Sequence, residues 1–319
     1  MKNPTSLRNG QRGAALLTAM IIVTLVVTLA ASMVWQQWRA VQVEVAERAR
    51  AQSAWILWGA LDWARLILRE DARNGRPTWL GEPMFTQLAE ARLSTFLAVD
   101  KDNTDDAPEA FLSGSISDAQ ARYNIRNLVR ESTVQPDELE ALKELCVSAG
   151  VDPGVASTIA TALNAALVIN ANNTSIDAPL LPQTLDQLTW FGIDTGTVQR
   201  LAPYIVFLPV RTPVNANTAS REVLAAAIKG LDLASAERIV QMRQRAAFKT
   251  PQELEAVLPR AAQPLNQQQV AITSSFFEVH GRLRLADRVL DRVSLVERRG
   301  LDIIVLQREL VPSREAGGS

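Results

Sequence analysis

The stretch Arg12-Gly13-Ala14-Ala15-Leu16-Leu17 decides the reading of this chain, because a short basic leader meets a long apolar run there. Lys2, Arg8 and Arg12 precede Gly13, and no acid does. From Ala14 to Gln37 no residue is charged, and the next charge is Arg39. At ~1.5 Å per helical residue that run reaches roughly 36 Å, enough to cross a ~30 Å hydrocarbon core. The chain therefore reads as a single-pass membrane protein.

Three fates are open to such a segment. It can remain whole as a signal anchor. It can be cut after Ala30-Ala31-Ser32 as a secretory signal, although the run exceeds the ~7–15-residue core of such signals. Or it can lose only its leader, between Gly13 and Ala14, as prepilins do. In every case the purely basic leader stays cytoplasmic, which places the chain beyond about Arg39 on the far side of the membrane. Trp35 and Trp38 flank the exit, where aromatic belts form.

With 319 residues there is room for one membrane helix and one large or two small domains. A net charge of −1 gives no global pull toward nucleic acid or anionic surfaces. The single histidine, His280, argues against histidine catalysis and zinc binding. The single cysteine, Cys146, excludes an internal disulfide, and its apolar neighbours Leu142, Leu145 and Val147 predict a buried, inert thiol.

Beyond the membrane, Val41, Val45 and Ala49 recur at four-residue spacing, followed by Trp55, Trp58, Leu61, Leu66 and Leu68. This predicts one helix running to about Arg73, stopped by Asn74-Gly75. Trp55, Trp58 and Trp63 are expected as core contacts against a globular domain; the sharper reading makes some of them a face for partner helices. Met84 to Val99 reads as a further helix. After it comes an acidic loop with Asp100, Asp102, Asp105 and Asp106. Carboxylates this close would welcome a hard cation such as calcium. The spacing lacks the glycine and the bidentate glutamate of a calcium hand, so a metal site and a solvated loop both stay open.

A strand is expected to leave a turn at Asp118, with Ala121, Tyr123 and Ile125 on one side. From about Leu128 to Ala271 the pattern is helical. Asp152-Pro153, Asn217 or Thr218, Ser235 and the box Thr250-Pro251-Gln252-Glu253 mark helix starts. The tail switches period: Phe277, Val279, Leu283 and Leu285, then Val289, Val293 and Leu295, then Ile303 and Val305 predict a three-stranded antiparallel meander, with His280 on its polar face. The meander needs something to bury its apolar side, and the exported half of the first helix is the candidate. The resulting class is α+β with a large helical insertion.

No nucleophile elbow, phosphate-binding glycine loop or histidine pair is present, so an enzyme is not expected. Residues 214–250 are similar to helix-hairpin-helix DNA-binding modules of competence proteins, which present backbone amides to phosphate. Here the turn Lys229-Gly230-Leu231-Asp232-Leu233 carries an aspartate where phosphate would approach. Residues 131–200 hold nine acids against Lys143 and Arg200, a field that repels nucleic acid. A helix-packing scaffold with capping asparagines is the preferred reading.

Taken in order, several segments resemble the K class of minor pseudopilins of type II secretion systems. They are the leader ending in Gly13, the run from Ala14, Ser117-Asp118 with Arg122-Tyr123-Asn124-Ile125, and Asn215-Ala216-Asn217-Thr218-Ala219 ahead of the C-terminal strands. The resemblance implies a pilin-like α+β fold, with a long N-terminal helix on an antiparallel sheet and an inserted all-α domain. The expected divisions are a prepilin leader at 1–13, a transmembrane helix at 14–38, a pilin-like domain at 39–127 and 272–310, the insertion at 128–271, and a disordered tail at 311–319. It implies cleavage after Gly13 and methylation at Ala14 by prepilin peptidase. The expected location is the inner membrane, with a periplasmic globular part at the pseudopilus tip during protein export. The implied partners are minor pseudopilins of the I and J classes, with the H and major G classes, the secretin and exported substrates as further candidates, and no nucleic acid. The family's association with calcium favours the acidic loop without matching its ligands. The fifth mature position, a glutamate in most pilins, is Thr18 here. A carboxylate in the apolar core is costly unless a neighbouring subunit pairs it, and a subunit with none ahead of it can dispense with it. The alternatives are a membrane-anchored DNA-uptake protein and a signal-anchored binding protein unrelated to pili.

Overall fold

A computed structural model describes residues 11–93, 110–172, 179–285 and 288–311. The chain divides into two compact units, residues 1–58 and 59–319. The first is entirely helical among its described residues. Helix α1, Gln11–Asn74, begins there and ends in the second unit. No proline interrupts it, and it stops where Gly75 takes a left-handed φ of 57°. Its apolar part has a mean hydropathy of 2.5, and none of that window is buried.

The second unit contains a five-stranded antiparallel sheet in the order β1-β2-β9-β10-β11. β1 is Leu88–Arg92 and β2 is Ala110–Asp118. Three two-residue bridges follow: β3 Tyr123–Asn124, β4 Val129–Arg130 and β5 Thr133–Val134. Three more come later, β6 Ile205–Val206, β7 Val214–Asn215 and β8 Val270–Ala271. The meander closes the chain as β9 Phe276–Leu285, β10 Arg288–Arg299 and β11 Asp302–Val311. β2 lies beside β9, with Ile116 opposite Val279 and Asp118 opposite Phe277. The helical segment 136–257 falls between these two neighbouring strands.

Leu61, Ala64 and Leu68 form a stripe on α1 and pack on Ile116, Phe277, Val279, Val296 and Ile303. The end of the first helix thus covers the apolar side of the meander, as the sequence predicts. Arg65 and Arg69 fix the register, donating from Nε to the Ile303 and Leu301 carbonyls, each at 3.0 Å.

The helices are α2 Pro136–Ser148, α3 Gly154–Asn172, α4 Thr195–Leu201, α5 Arg221–Ala227, α6 Leu233–Arg245 and α7 Pro251–Val257. They share a separate core around Leu142, Leu145, Ile159, Leu163, Leu188 and Val223. A small third cluster joins Ala119, Val206 and Leu208 to Phe276 of β9.

Several local expectations are corrected. Met84 to Val99 is not one helix: a 3-10 turn at Pro83–Phe85 leads into β1, because pairing with β2 overrides the helical propensity of Leu-Ala-Glu-Ala-Arg. The long strand precedes Asp118 rather than leaving it; Asp118 caps a 3-10 turn, Ala119–Ala121, and only the short β3 follows. Ser220, not Asn217 or Thr218, caps α5, and Asp232, not Ser235, caps α6. Leu185, Leu188 and Trp190, whose spacing also suggests a helix, belong to a 3-10 segment, Asp186–Phe191, with Leu185 at its N-cap. Val311, expected in the tail, still belongs to β11.

Candidate functional site

Beginning from the membrane helix, Thr18 answers its own polarity. Its hydroxyl donates to the Ala14 carbonyl at 3.1 Å and the Ala15 carbonyl at 3.0 Å. Thr24, Thr28 and Ser32 likewise bond carbonyls three or four residues back. Hydroxyls satisfied this way can face lipid without orphaned polar groups. The Gly13–Ala14 bond lies near the start of α1. Glycine is the weakest helix former after proline, so unwinding costs least there.

Trp55 is 69% exposed and Trp58 42% exposed, their rings edge-on at 5.3 Å. Trp63 is 47% exposed. None is the buried core contact expected of it: the sheet takes the stripe through Leu61, Ala64 and Leu68, which leaves Trp63 and Leu66 on other faces of the helix.

The second unit is organised around Asp118. Its Oδ2 accepts from Asn215 Nδ2 at 2.9 Å, from Thr218 Oγ1 at 2.6 Å and from Ser274 Oγ at 2.6 Å, while Oδ1 accepts from the Gln120 amide at 2.8 Å. Burial pushes this carboxyl above the ordinary aspartate range, and the four hydrogen bonds oppose that only in part. Asn215 Nδ2 also reaches the Thr78 carbonyl at 3.1 Å. Arg298 of β10 donates to Asp71 Oδ2 at 2.6 Å, to Thr78 Oγ1 at 3.0 Å and to the Ser274 carbonyl at 2.7 Å. Gln120 bridges the Ser275 amide and the Pro213 carbonyl. The two segments that carried the resemblance, one at Asp118 and one at Asn215–Thr218, therefore meet in a single buried polar node.

Asn217 acts as a peg rather than a helix cap, and Asn124 does both, since its Oδ1 also caps the 3-10 turn Ile125–Leu128 through the Arg126 amide at 3.1 Å. Asn217 Nδ2 donates to the Phe248 carbonyl at 3.0 Å and the Ile272 carbonyl at 3.3 Å, and its Oδ1 accepts from the Phe248 amide. Asn124 holds Val210, Thr212 and Leu208. Such contacts replace regular pairing for short loops that are fully buried. Of the partners that meet here, Asn215 and Thr218 are signalled by the compositional oddity of their segment, and Ser274, far off in sequence, is not. Thr78, Asp71 and Arg298 carry no sequence signal.

Cys146 is buried, and burial raises its thiol to about 11, which makes it inert. His280 is exposed on β9, 3.7 Å from Glu278. Asp100, Asp102, Asp105 and Asp106 lie outside the described residues. At the hairpin between α5 and α6, Gly230 takes a φ of 82° with its α-hydrogen side against the Ala261 backbone. The N-terminus of α6, where a phosphate would dock, is capped by Asp232, whose Oδ1 accepts from the Ser235 amide at 2.8 Å. Lys229 is paired to Asp137 at 2.9 Å, and the adjoining cleft of about 410 Å³ is lined by Asp137, Glu140, Glu144 and Asp232. This electrostatics opposes nucleic acid, so the DNA-uptake alternative is not favoured.

Two family models, both described as type II secretion system protein K, match residues 121–210 and 214–273. The type II secretion system protein K of Pseudomonas aeruginosa is 27% identical, over 98% of this chain and 98% of its own length. That of Pectobacterium carotovorum is also 27% identical, over 95% of this chain and 97% of its own. Among solved structures, a chain of the GspK–GspI–GspJ complex from enterotoxigenic Escherichia coli covers 84% of this chain and 99% of its own with a TM-score of 0.65; at 20% identity it speaks for the fold. A basic leader on an apolar helix, an antiparallel sheet under that helix's end, and helices tied in at Asp118 all agree with these matches: in sequence and fold the chain resembles type II secretion system protein K along nearly its whole length.

Proposed function

We propose that this chain is a structural, non-enzymatic subunit of the pseudopilus tip, required for pseudopilus assembly and for export of folded proteins. Its leader is removed between Gly13 and Ala14, the new amino terminus at Ala14 is methylated, and residues 14–38 hold the protein in the inner membrane with its globular part in the periplasm. Residues 128–271 form an inserted domain on a pilin-like domain made of 39–127 and 272–310. Its partners are minor pseudopilins of the I and J classes; a solved structure whose fold this chain shares is that of a GspK–GspI–GspJ complex, which supports this choice.

The observation that carries the reading is the uncharged run from Ala14 to Gln37 directly behind a basic leader, in a chain matched along nearly its whole length by secretion protein K. Orientation follows from the leader's charge. The decisive experiment is mass analysis of the amino terminus of protein recovered from membranes, with and without prepilin peptidase. The expected start is a methylated Ala14 with the peptidase and Met1 without it, and a Gly13→Asp variant should keep Met1 in both. A start beyond Ser32, or Met1 in the presence of the enzyme, overturns the proposal.

A further inference from the structure

Glu82 sits just before the 3-10 turn Pro83–Phe85 and is 6% exposed. Its Oε2 accepts from the Trp79 amide at 3.2 Å. Its Oε1 is buried and has no donor in reach. The carboxylate acting on it is that of Asp71 on α1. Two carboxylates facing each other have no hydrogen to share, so the contact is a bond only when one of them carries a proton.

Asp71 is itself clamped by Arg298 at 2.6 Å, and the same guanidinium holds Thr78 and the Ser274 carbonyl. Ser274 Oγ in turn donates to Asp118. A polar chain thus runs from Glu82 through Asp71 and Arg298 to Asp118, Asn215 and Thr218, where β2 and β10 of the sheet meet the helical segment. Besides the pair, the charged groups of this polar chain are Arg298 from β10, which acts on both carboxyls, and Asp118 at the end of β2, one step further through Ser274. A cleft of about 300 Å³ has Asp71, Arg76, Ser274 and Arg298 in its wall, so the Asp71 side of the pair is the one open to solvent.

We propose that Glu82 and Asp71 share one proton, and that this proton locks the joint between the sheet and the helical segment: the joint is tight when the pair is protonated and loosens when the proton leaves. Burial first, then repulsion from Asp71, lifts the Glu82 carboxyl from its ordinary value to about 7, against the pull of the Trp79 amide and Arg298. The folded value lies above the unfolded one. The stabilisation is therefore complete in acid and is lost as pH rises from the ordinary glutamate range through about 7.

The test is hydrogen–deuterium exchange of the full-length protein in detergent micelles between pH 4.5 and 8.5, corrected for intrinsic exchange. The readout is protection of peptides spanning residues 76–86 and 212–220. In wild type, protection should fall by at least about tenfold across the range. In Glu82→Gln, which keeps a permanent donor toward Asp71, the fall should shrink in both peptides and vanish in 76–86, any remainder in 212–220 coming from Asp118 beside Asn215 and Thr218. In Asp71→Asn, which removes the repulsion, the fall should move to lower pH. A flat wild-type profile, a Glu82→Gln profile that follows wild type, or an Asp71→Asn profile unmoved from it would each overturn the proposal. Should Glu82→Gln fail to fold, the wild-type and Asp71→Asn profiles decide.

Discussion

Asp118 Oδ2 and Asn215 Nδ2, the one ending β2 and the other ending β7, are joined at 2.9 Å inside the protein. This bond ties the sheet to the short parallel pair of β7 and β8, in which Val214 lies opposite Val270. Replacing Asp118 by Ala strands the Asn215 amide and the Thr218 and Ser274 hydroxyls without their shared acceptor. The cost should be about 2–4 kcal/mol, since each buried donor left unsatisfied costs about 1–3 kcal/mol and the two hydroxyls can turn to other acceptors. Asp118→Asn should cost less but remain destabilising, because whichever way the amide turns, its NH2 meets a donor. Thermal unfolding of the full-length protein at pH 7 reads both; a variant as stable as wild type would remove Asp118 from the centre of the joint.

Acid should weaken the protein through Glu278. Burial pushes this carboxyl up, but the His280 imidazole and the Arg122 guanidinium outweigh that and hold it down at about 2. Arg122 Nη2 lies 2.6 Å from Oε1, whereas His280 stands at 3.7 Å, too far for a hydrogen bond, so Arg122 is the stronger partner. With the folded value depressed, the stabilisation is present above the ordinary glutamate value and is lost as pH falls from about 4.5 toward about 2. Glu278→Gln should therefore be less stable than wild type at pH 6, with the difference closing below pH 3. Paired denaturant titrations at the two pH values check this, and a difference that does not change with pH would refute it.

How much of this was legible beforehand follows physical range. The end of α1 was readable because Asn74-Gly75 is a local stop, and the meander because Phe277, Val279 and Leu283 alternate over many residues. The capping box at Thr250 was readable too: its hydroxyl accepts from the Glu253 amide at 3.2 Å. β1 was not, since its backbone pairs with a strand across a long connection and Glu90 meets Arg284, 194 residues on. The asparagines of the Asn215 segment were visible as a motif but not as pegs, because their partners Thr78, Phe248 and Ser274 are chosen by the fold and not by spacing. The Glu82–Asp71 pair left no trace in composition or period.

The exposed aromatics on α1 separate folding from assembly. Trp55 is 69% exposed and touches Trp58 edge-on at 5.3 Å, so its ring buries little area in the isolated chain. Trp55→Ala should therefore shift the unfolding free energy of the protein alone by less than about 0.5 kcal/mol. A tryptophan that packs into a partner helix is a different matter, because interface anchors of this kind cost about 2 kcal/mol or more on truncation, or roughly 30-fold in affinity. If the I- and J-class partners pack on this face, co-purification with them from detergent-solubilised membranes should fall sharply for Trp55→Ala. The charge pairs Arg48–Glu44 and Arg50–Glu47 further back on the same helix are largely exposed and worth little, so Arg50→Ala serves as the matched control and should leave recovery unchanged. Equal recovery of partners by Trp55→Ala and wild type would show that this face of α1 stays free in the assembly.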